Sequence, residues 1–207
     1  AREALRFALP NYASELAFFS STTGVLGFLL PLAVLGLLGE QATAYFYIAW
    51  SVAGLVNLVP VAISLALFAE GVREREALAA NARGALLLAV GPLVPALVFV
   101  FPLGGIVLGA FGAAYAEEGT ALLWLLVGAS LPLAVNTVAM GVWRAQGRLL
   151  LLGAFGVGMG GGVLGLTAGL SGPLGLLAPG VAWLGANVVG AVVVLSQSAG
   201  WMWRKGD

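Results

Sequence analysis

The residues that could do chemistry in this chain are a few polar side chains set within long apolar runs. Asn11, Glu15 and Thr22 are spaced by four and seven residues, so on a helix they fall within about 40° of one another. A carboxylate on such a stripe could bind a coupling cation or a proton, or accept hydrogen bonds from sugar hydroxyls. Alternatively, Glu15 lies near the membrane boundary and pairs with Arg2 or Arg6.

A second polar seam follows in the next apolar run. It consists of Trp50, Gly54, Asn57, Val61 and Ser64, which lie along one side of a helix. Asn57 precedes the next acidic residue, at position 70, by 13 positions, or about 20 Å of helix, which places it near the middle of a bilayer. An amide without a partner there would cost several kcal/mol. Asn57 is therefore expected to bond to a neighbouring helix or to face a wet cavity.

Two later amides, Asn136 and Asn187, follow the same logic in other apolar runs. Each is expected either to hydrogen-bond between helices or to line a cavity.

The residue inventory excludes several classes of enzyme. The chain has no Cys and no His, and its only Asp is Asp207, so disulfides, thiolate nucleophiles, common zinc sites and His- or Cys-ligated haem are excluded. An intramembrane serine protease needs a base beside its serine, and an intramembrane aspartyl protease needs two buried Asp. This chain does not supply these groups, so both classes are excluded. No phosphate-binding loop is present. We therefore expect neither catalysis, nor a metal, nor a cofactor.

Composition points to a membrane as the surrounding solvent. Apolar residues make up 61% of the 207 residues and charged residues only 9%, against about 25% charged in an ordinary soluble domain. The nine basic and nine acidic residues balance, so no nucleic-acid partner is indicated. The lipid bilayer is the expected partner.

The apolar runs are long enough to cross a bilayer, since about 20 residues of helix suffice. Six such runs lie near residues 16–38, 43–69, 84–108, 120–143, 149–170 and 176–199. The breaks between them fall at Glu40, 70–83, Glu117 and Glu118, 144–148 and 171–173. The sequence therefore predicts an all-α, polytopic membrane protein, a bundle of about six transmembrane helices. Gly161, Gly165 and Gly169, spaced by four, predict a ridge against which another helix packs closely.

Charge alternates between the predicted loops. Every Lys and Arg lies in the N-terminal tail, in 70–83, in 144–148 or at Arg204 and Lys205, whereas the opposite loops carry only Glu or no charge. Because positive loops stay in the cytoplasm, both termini are expected there, in a multi-pass protein of the inner or plasma membrane.

Several strings, in order, carry a resemblance to a known family. They are AYFYIAW at 44–50, SLALFAEG at 64–71, GAFGAAYAEEG at 109–119, LLW at 122–124, LPLAVN at 131–136 and RAQGR at 144–148. Over roughly residues 5 to 155 the chain resembles the C-terminal lobe of the polysaccharide-exporting flippases of the multidrug/oligosaccharidyl-lipid/polysaccharide superfamily. The resemblance implies that residues 1–207 are one six-helix lobe of a two-lobe transporter, with the N-terminal lobe as its missing partner.

What the resemblance implies for function is movement of a lipid-linked oligosaccharide from the cytoplasmic to the outer leaflet by alternating access. The candidate residues of the substrate cavity are Asn11, Glu15, Thr22, Asn57, Ser64 and Asn136. No Arg or Lys lies at mid-membrane, so contacts to the anionic headgroup would be made at the cytoplasmic mouth, by Arg6, Arg83, Arg144 and Arg148. Two alternatives are a cation-coupled antiporter of small molecules or drugs, using Glu15, and a membrane scaffold subunit that transports nothing.

Overall fold

The computed structural model describes residues 25–73 and 78–198, and these are helices joined by short turns, without strands. The helices are α1 (Val25–Arg73), α2 (Leu78–Val90), α3 (Leu93–Gly109), α4 (Ala113–Gly128), α5 (Ser130–Ala145), α6 (Leu149–Leu174) and α7 (Ala178–Ser198). A single 3-10 turn, Gly175–Leu177, joins α6 to α7. The predicted all-α class is confirmed for this part of the chain.

Four helical stretches are long and apolar enough to cross a membrane, by length and composition. They are Gly27–Glu70, Asn81–Gly109, Ala113–Ala145 and Leu149–Gln197. The sequence predicted six crossings, and the difference arises because two predicted breaks lie inside the first and last of these stretches.

Those two breaks are made by glycines in conformations that other residues rarely adopt. Gly39 has φ 85° and ψ 179° inside α1, and Gly175 has φ 51° and ψ −126° after α6. A straight helix of the 49 residues of α1 would be about 74 Å long, more than twice the apolar thickness of a bilayer. The backbone at Gly39 instead divides α1 into two helical parts.

Three predicted breaks lie elsewhere in the structure, by between two and six residues. Glu117 and Glu118 do not break the chain, because α4 begins at Ala113 after Gly112 (φ 134°) and carries both exposed carboxylates on its second turn. The helix α6 continues through 171–173 and ends at Leu174. Most of the predicted 70–83 loop is helical, since α1 ends at Arg73 and α2 begins at Leu78.

The second part of α1 runs parallel to α4 and α5. Ser130 donates to Asn57, and Ser64 donates to the carbonyl of Thr137; each pair is 73 positions apart. A constant offset means that the two helices advance in the same direction. The chain must therefore reverse twice between them, through α2–α3 and then at 110–112.

Contacts at the ends of these helices agree with the parallel arrangement. The rings of Tyr45 and Tyr115 lie 5.1 Å apart near the start of both segments. Near their finish, the guanidinium carbon of Arg144 lies 5.0 Å from the centre of the Phe68 ring. The acidic start of α4 and the arginine-bearing end of α5 consequently lie at opposite ends of the bundle.

The core is centred on α5, in which every residue from 133 to 145 except the half-buried Val135 is buried. Close backbone approach occurs at Gly141, where a Cβ would lie 2.8 Å from the Ser64 carbonyl oxygen. A Cβ at Gly161, Gly165 or Gly169 would have no atom within 4 Å among the described residues. The described helices therefore do not include the partner predicted for this ridge, and its close packing stays a prediction.

Candidate functional site

The predicted cavity residues separate into three groups. Arg6, Asn11, Glu15 and Thr22 lie outside the described residues, so the predictions made for them stay predictions. Ser64 and Asn136 are buried between helices, and Asn57 borders a cleft.

Ser64 lies in a closed helix–helix contact. Only 1% of its surface is exposed, and its Oγ donates to the carbonyl oxygen of Thr137 at 2.5 Å. Gly141 packs against the same serine, leaving no space for a ligand. The hydroxyl therefore connects α1 to α5, and Ser64 does not line the cleft that Asn57 borders.

Asn136 forms a second contact of this kind, between α5 and α7. Its Nδ2 donates to the carbonyl oxygen of Asn187 at 3.0 Å and to Oδ1 of the same residue at 3.2 Å. Asn187 in turn donates to the carbonyl of Trp183 at 2.9 Å. The Oδ1 of Asn136 is buried and accepts no hydrogen bond from the described residues. The sequence left interhelical bonding open for both amides, and the structure places them in it.

Asn57 differs from both. Its Oδ1 accepts a 2.6 Å hydrogen bond from Ser130, while its Nδ2 donates to no atom in the described ranges. The side chain is half-buried, and it borders a cleft of about 80 Å³ between α1, α5 and α7. We name this space the mid-bundle cleft.

The mid-bundle cleft is lined by aromatic, aliphatic and small residues. Trp50 and Trp183 contribute indole rings, and Ala53 and Gly54 contribute small surfaces. The other lining residues besides Asn57 are Gly27, Leu58, Val61 and Leu133. Four of the five residues of the predicted seam, those at 50, 54, 57 and 61, line it. Gly54 and Leu58 are exposed, so the space opens on that side of α1.

Trp183 is the residue that sequence reasoning missed. It is 2% exposed, and its Nε1 has no hydrogen-bond partner among the residues described. Its ring contacts Trp50 edge to face at a centroid distance of 4.8 Å, and Trp50 stacks on Phe46 at 5.5 Å. The available signal was a tryptophan seven residues after the start of the predicted run 176–199, deeper than an interfacial anchor is expected.

The arginines predicted at the mouth lie toward the end of the bundle that Phe68 and Arg144 mark. Arg144 is 7% exposed and packs over Phe68, whereas Arg148, which precedes α6, and Arg83, on α2, are exposed. None of these lines the mid-bundle cleft. No group of three or more His, Cys, Asp or Glu within residues 25–73 and 78–198 could hold a metal ion.

The described part of the chain therefore places uncharged polar and aromatic side chains around the mid-bundle cleft, and arginines at one end of the bundle. Comparison with known proteins adds nothing to this: no protein-family model, no curated protein and no solved structure matches the chain.

Proposed function

We propose that this chain is a helical body of a membrane flippase that moves a lipid-linked oligosaccharide from the cytoplasmic to the outer leaflet. The observation that carries the proposal is the mid-bundle cleft, which is bordered by indole rings and by the Asn57 amide, whose Nδ2 has no partner among the described residues, within helices of membrane length. Sugars offer many hydrogen-bonding groups and apolar ring faces, so aromatic walls combined with amide donors suit them.

Six crossings are part of the proposal. The breaks at Gly39 and Gly175 divide the first and last long apolar stretches into two segments each. With α2–α3 and α4–α5 as single crossings, alternate segments would run in the same direction. The parallel contacts between α1 and α5 agree with this count.

The proposed orientation places the arginine-bearing end in the cytoplasm. Arg83, Arg144 and Arg148 would meet the phosphates of the substrate there, while the sugars enter the bundle. Both termini would then be cytoplasmic, in the inner or plasma membrane.

A second helical body is also proposed, whether it is part of the same polypeptide or not. The mid-bundle cleft is open at Gly54 and Leu58, and alternating access requires two bodies that rock around a shared site. The face of α1 that carries these two residues is the proposed contact with the second body.

The function can be tested by reconstituting the complete gene product in liposomes with a fluorescent polyprenyl-diphosphate sugar. Flipping is measured as loss of fluorescence to a membrane-impermeant quencher on the outside. We expect flipping to exceed that of empty liposomes severalfold. A folded protein that flips no sugar but exchanges a cationic dye for protons would establish the antiporter alternative, and inactivity in both assays would favour the scaffold.

Topology can be tested separately, because the chain has no Cys and any introduced cysteine is the only label site. Glu118 and Arg148 are both exposed and belong to opposite ends of the bundle. We expect an impermeant maleimide to label Glu118→Cys in intact cells and Arg148→Cys only after lysis. The reverse pattern would invert the proposed orientation, and labelling of both from outside would contradict the crossing between them.

A further inference from the structure

We propose that a groove between α1 and α2 binds a membrane phospholipid with a primary ammonium headgroup, the chemistry of phosphatidylethanolamine. We name this space the α1–α2 groove, and it shares no lining residue with the mid-bundle cleft. The proposed site requires that the helices cross a membrane, and it does not depend on which cargo the protein moves.

The α1–α2 groove follows one face of each of two antiparallel helices. Residues spaced by three or four line it, namely Ile63, Leu67 and Glu70 on α1 and Asn81, Gly84 and Leu88 on α2. The chain reverses between the end of α1 and the start of α2, so Glu70 and Asn81 share the groove end nearest this reversal. A Cβ at Gly84 would meet no described atom within 4 Å, so the groove is open there.

The groove changes from polar to apolar along its length. The first long apolar stretch ends at Glu70 and the second begins at Asn81, so both side chains belong to the membrane boundary. Ile63 and Leu88 each lie seven residues from that boundary, about 10 Å deeper in the hydrocarbon. A ligand that fits both ends is an amphiphile aligned with the bilayer lipids, with its headgroup at Glu70 and Asn81.

The charge of the groove selects a cationic group. Glu70 is exposed and has no hydrogen-bond or ion-pair partner among the described residues. No Lys or Arg in the described ranges lines the groove, since Arg83 is on α2 but outside the lining. An anionic lipid, or the diphosphate of the proposed cargo, would therefore meet a carboxylate with no base beside it. An ammonium group instead forms a charge-assisted hydrogen bond with that carboxylate.

Hydrogen bonding selects a primary ammonium over a methylated one. Asn81 is half-buried, its amide has no partner in the described part of the chain, and neither amide atom is enclosed. A primary ammonium has three N–H donors, enough for Glu70 and the Asn81 Oδ1 together, whereas a trimethylated ammonium has none. The Asn81 Nδ2 can donate to a phosphate oxygen of the same headgroup. One acyl chain would then lie against Ile63 and Leu88.

The experiment measures lipid binding to the complete gene product by native mass spectrometry, after delipidation in detergent. Phosphatidylethanolamine, phosphatidylcholine and phosphatidylglycerol with identical acyl chains are titrated separately, so that nonspecific adducts are matched. We expect the first bound phosphatidylethanolamine to have a Kd at least about fivefold lower than either of the others, because it alone offers ammonium N–H donors to a carboxylate.

Glu70→Gln keeps the size of the side chain, removes its charge and should reduce the preference for phosphatidylethanolamine at least about threefold. Glu118→Gln is the matched control, since Glu118 is also exposed but lies on α4, at the opposite end of the bundle, and does not line the groove. It should leave the preference unchanged. Gly84→Leu is a second test, which fills the open groove, keeps Glu70 and should weaken phosphatidylethanolamine binding by a similar factor.

Equal binding of the three lipids would overturn the proposal, and so would a preference for phosphatidylglycerol. A preference that Glu70→Gln retains in full, or that Glu118→Gln loses to the same extent, would overturn the assignment to this groove. If a long-chain alkylamine binds in a Glu70-dependent manner and phosphatidylethanolamine does not, the groove belongs to the cationic cargo of an antiporter instead. Lipid binding is measured without glycan flipping, so failure here leaves the proposed function to its own test.

Discussion

The two hydrogen bonds between α1 and α5 form a natural comparison. Ser130–Asn57 and Ser64–Thr137 share the same offset and lie seven residues apart on the same two helices. At the second, the hydroxyl is buried and the backbones touch at Gly141. At the first, the amide has spare donors and borders a cleft. Neighbouring polar residues on one seam thus perform different tasks, one in packing and one at an open space.

The residues that surround each bond explain part of the difference. Four positions after Thr137 the chain has Gly141, and the corresponding position after Ser130 is Ala134. The missing side chain at Gly141 allows α1 to approach α5 within van der Waals distance. Near Asn57, the indoles of Trp50 and Trp183 stand between the helices and leave the space open.

The largest effect should come from closing the gap at Gly141. In Gly141→Ala, the new methyl would lie 2.8 Å from the Ser64 carbonyl oxygen and 2.9 Å from its Oγ, and the first of these is backbone that cannot easily move. We expect a loss of about 2–3 kcal/mol of stability. The measurement is thermal or denaturant unfolding of the purified protein in detergent.

Gly158→Ala is the matched control, since a Cβ at Gly158 meets no atom within 4 Å. It should change stability by less than about 1 kcal/mol, in the direction of greater stability if helix propensity dominates. Equal losses in both variants would mean that the contact between α1 and α5 is not the tight one.

The next largest effect is expected at the Ser130–Asn57 hydrogen bond, beside the mid-bundle cleft. We expect Asn57→Leu to reduce glycan export about tenfold while leaving the amount of protein in the membrane near normal, because the amide serves the cleft more than the packing. Export is measured by surface glycan staining and abundance by immunoblot. Ser130→Ala, which removes the hydrogen bond but keeps the Asn57 donors, should export better than Asn57→Leu. An abundance that falls in step with export would make Asn57 a packing residue like Ser64.

The smallest effect is expected between Asn136 and Asn187, which are buried and bonded to each other yet compete with other partners in the unfolded, membrane-embedded chain. A double-mutant cycle of Asn136→Ala and Asn187→Ala should give a coupling free energy of about 0.6 kcal/mol. Steric trapping or unfolding in mixed micelles can measure it. A coupling above about 2 kcal/mol would contradict this expectation, because it would exceed the largest values known for such pairs within membranes.

Composition and turn-forming residues predicted the helical class and several boundaries well. The long apolar runs predicted where the helices lie. The break predicted at Glu40 is one residue from the break in the structure, at Gly39. Glu117 and Glu118 misled because charge was taken as a sign of a break, whereas the second turn of α4 carries both carboxylates exposed. The break lies at Gly112, whose positive φ favours glycine.

The site was only half predictable. Helical periodicity placed Trp50, Gly54, Asn57 and Val61 on one face, and all four line the cleft. Periodicity could not tell Asn57 from Ser64, because both lie on that face and their difference arises from the helix opposite. Trp183 comes from α7, more than a hundred residues away, and a local pattern carries no information on that contact.

The offset of 73 residues between bonded partners also sets the delay between their synthesis on the ribosome. At about 5–20 residues per second, Ser130 leaves the ribosome about 4–15 s after Asn57, and Thr137 follows Ser64 by the same delay. For those seconds the amide and hydroxyl of α1 have no α5 to bond with, although the helix that carries them is already apolar enough to enter lipid. The nascent chain therefore needs either temporary partners beside the insertion machinery or delayed release into the bilayer until α5 has been made.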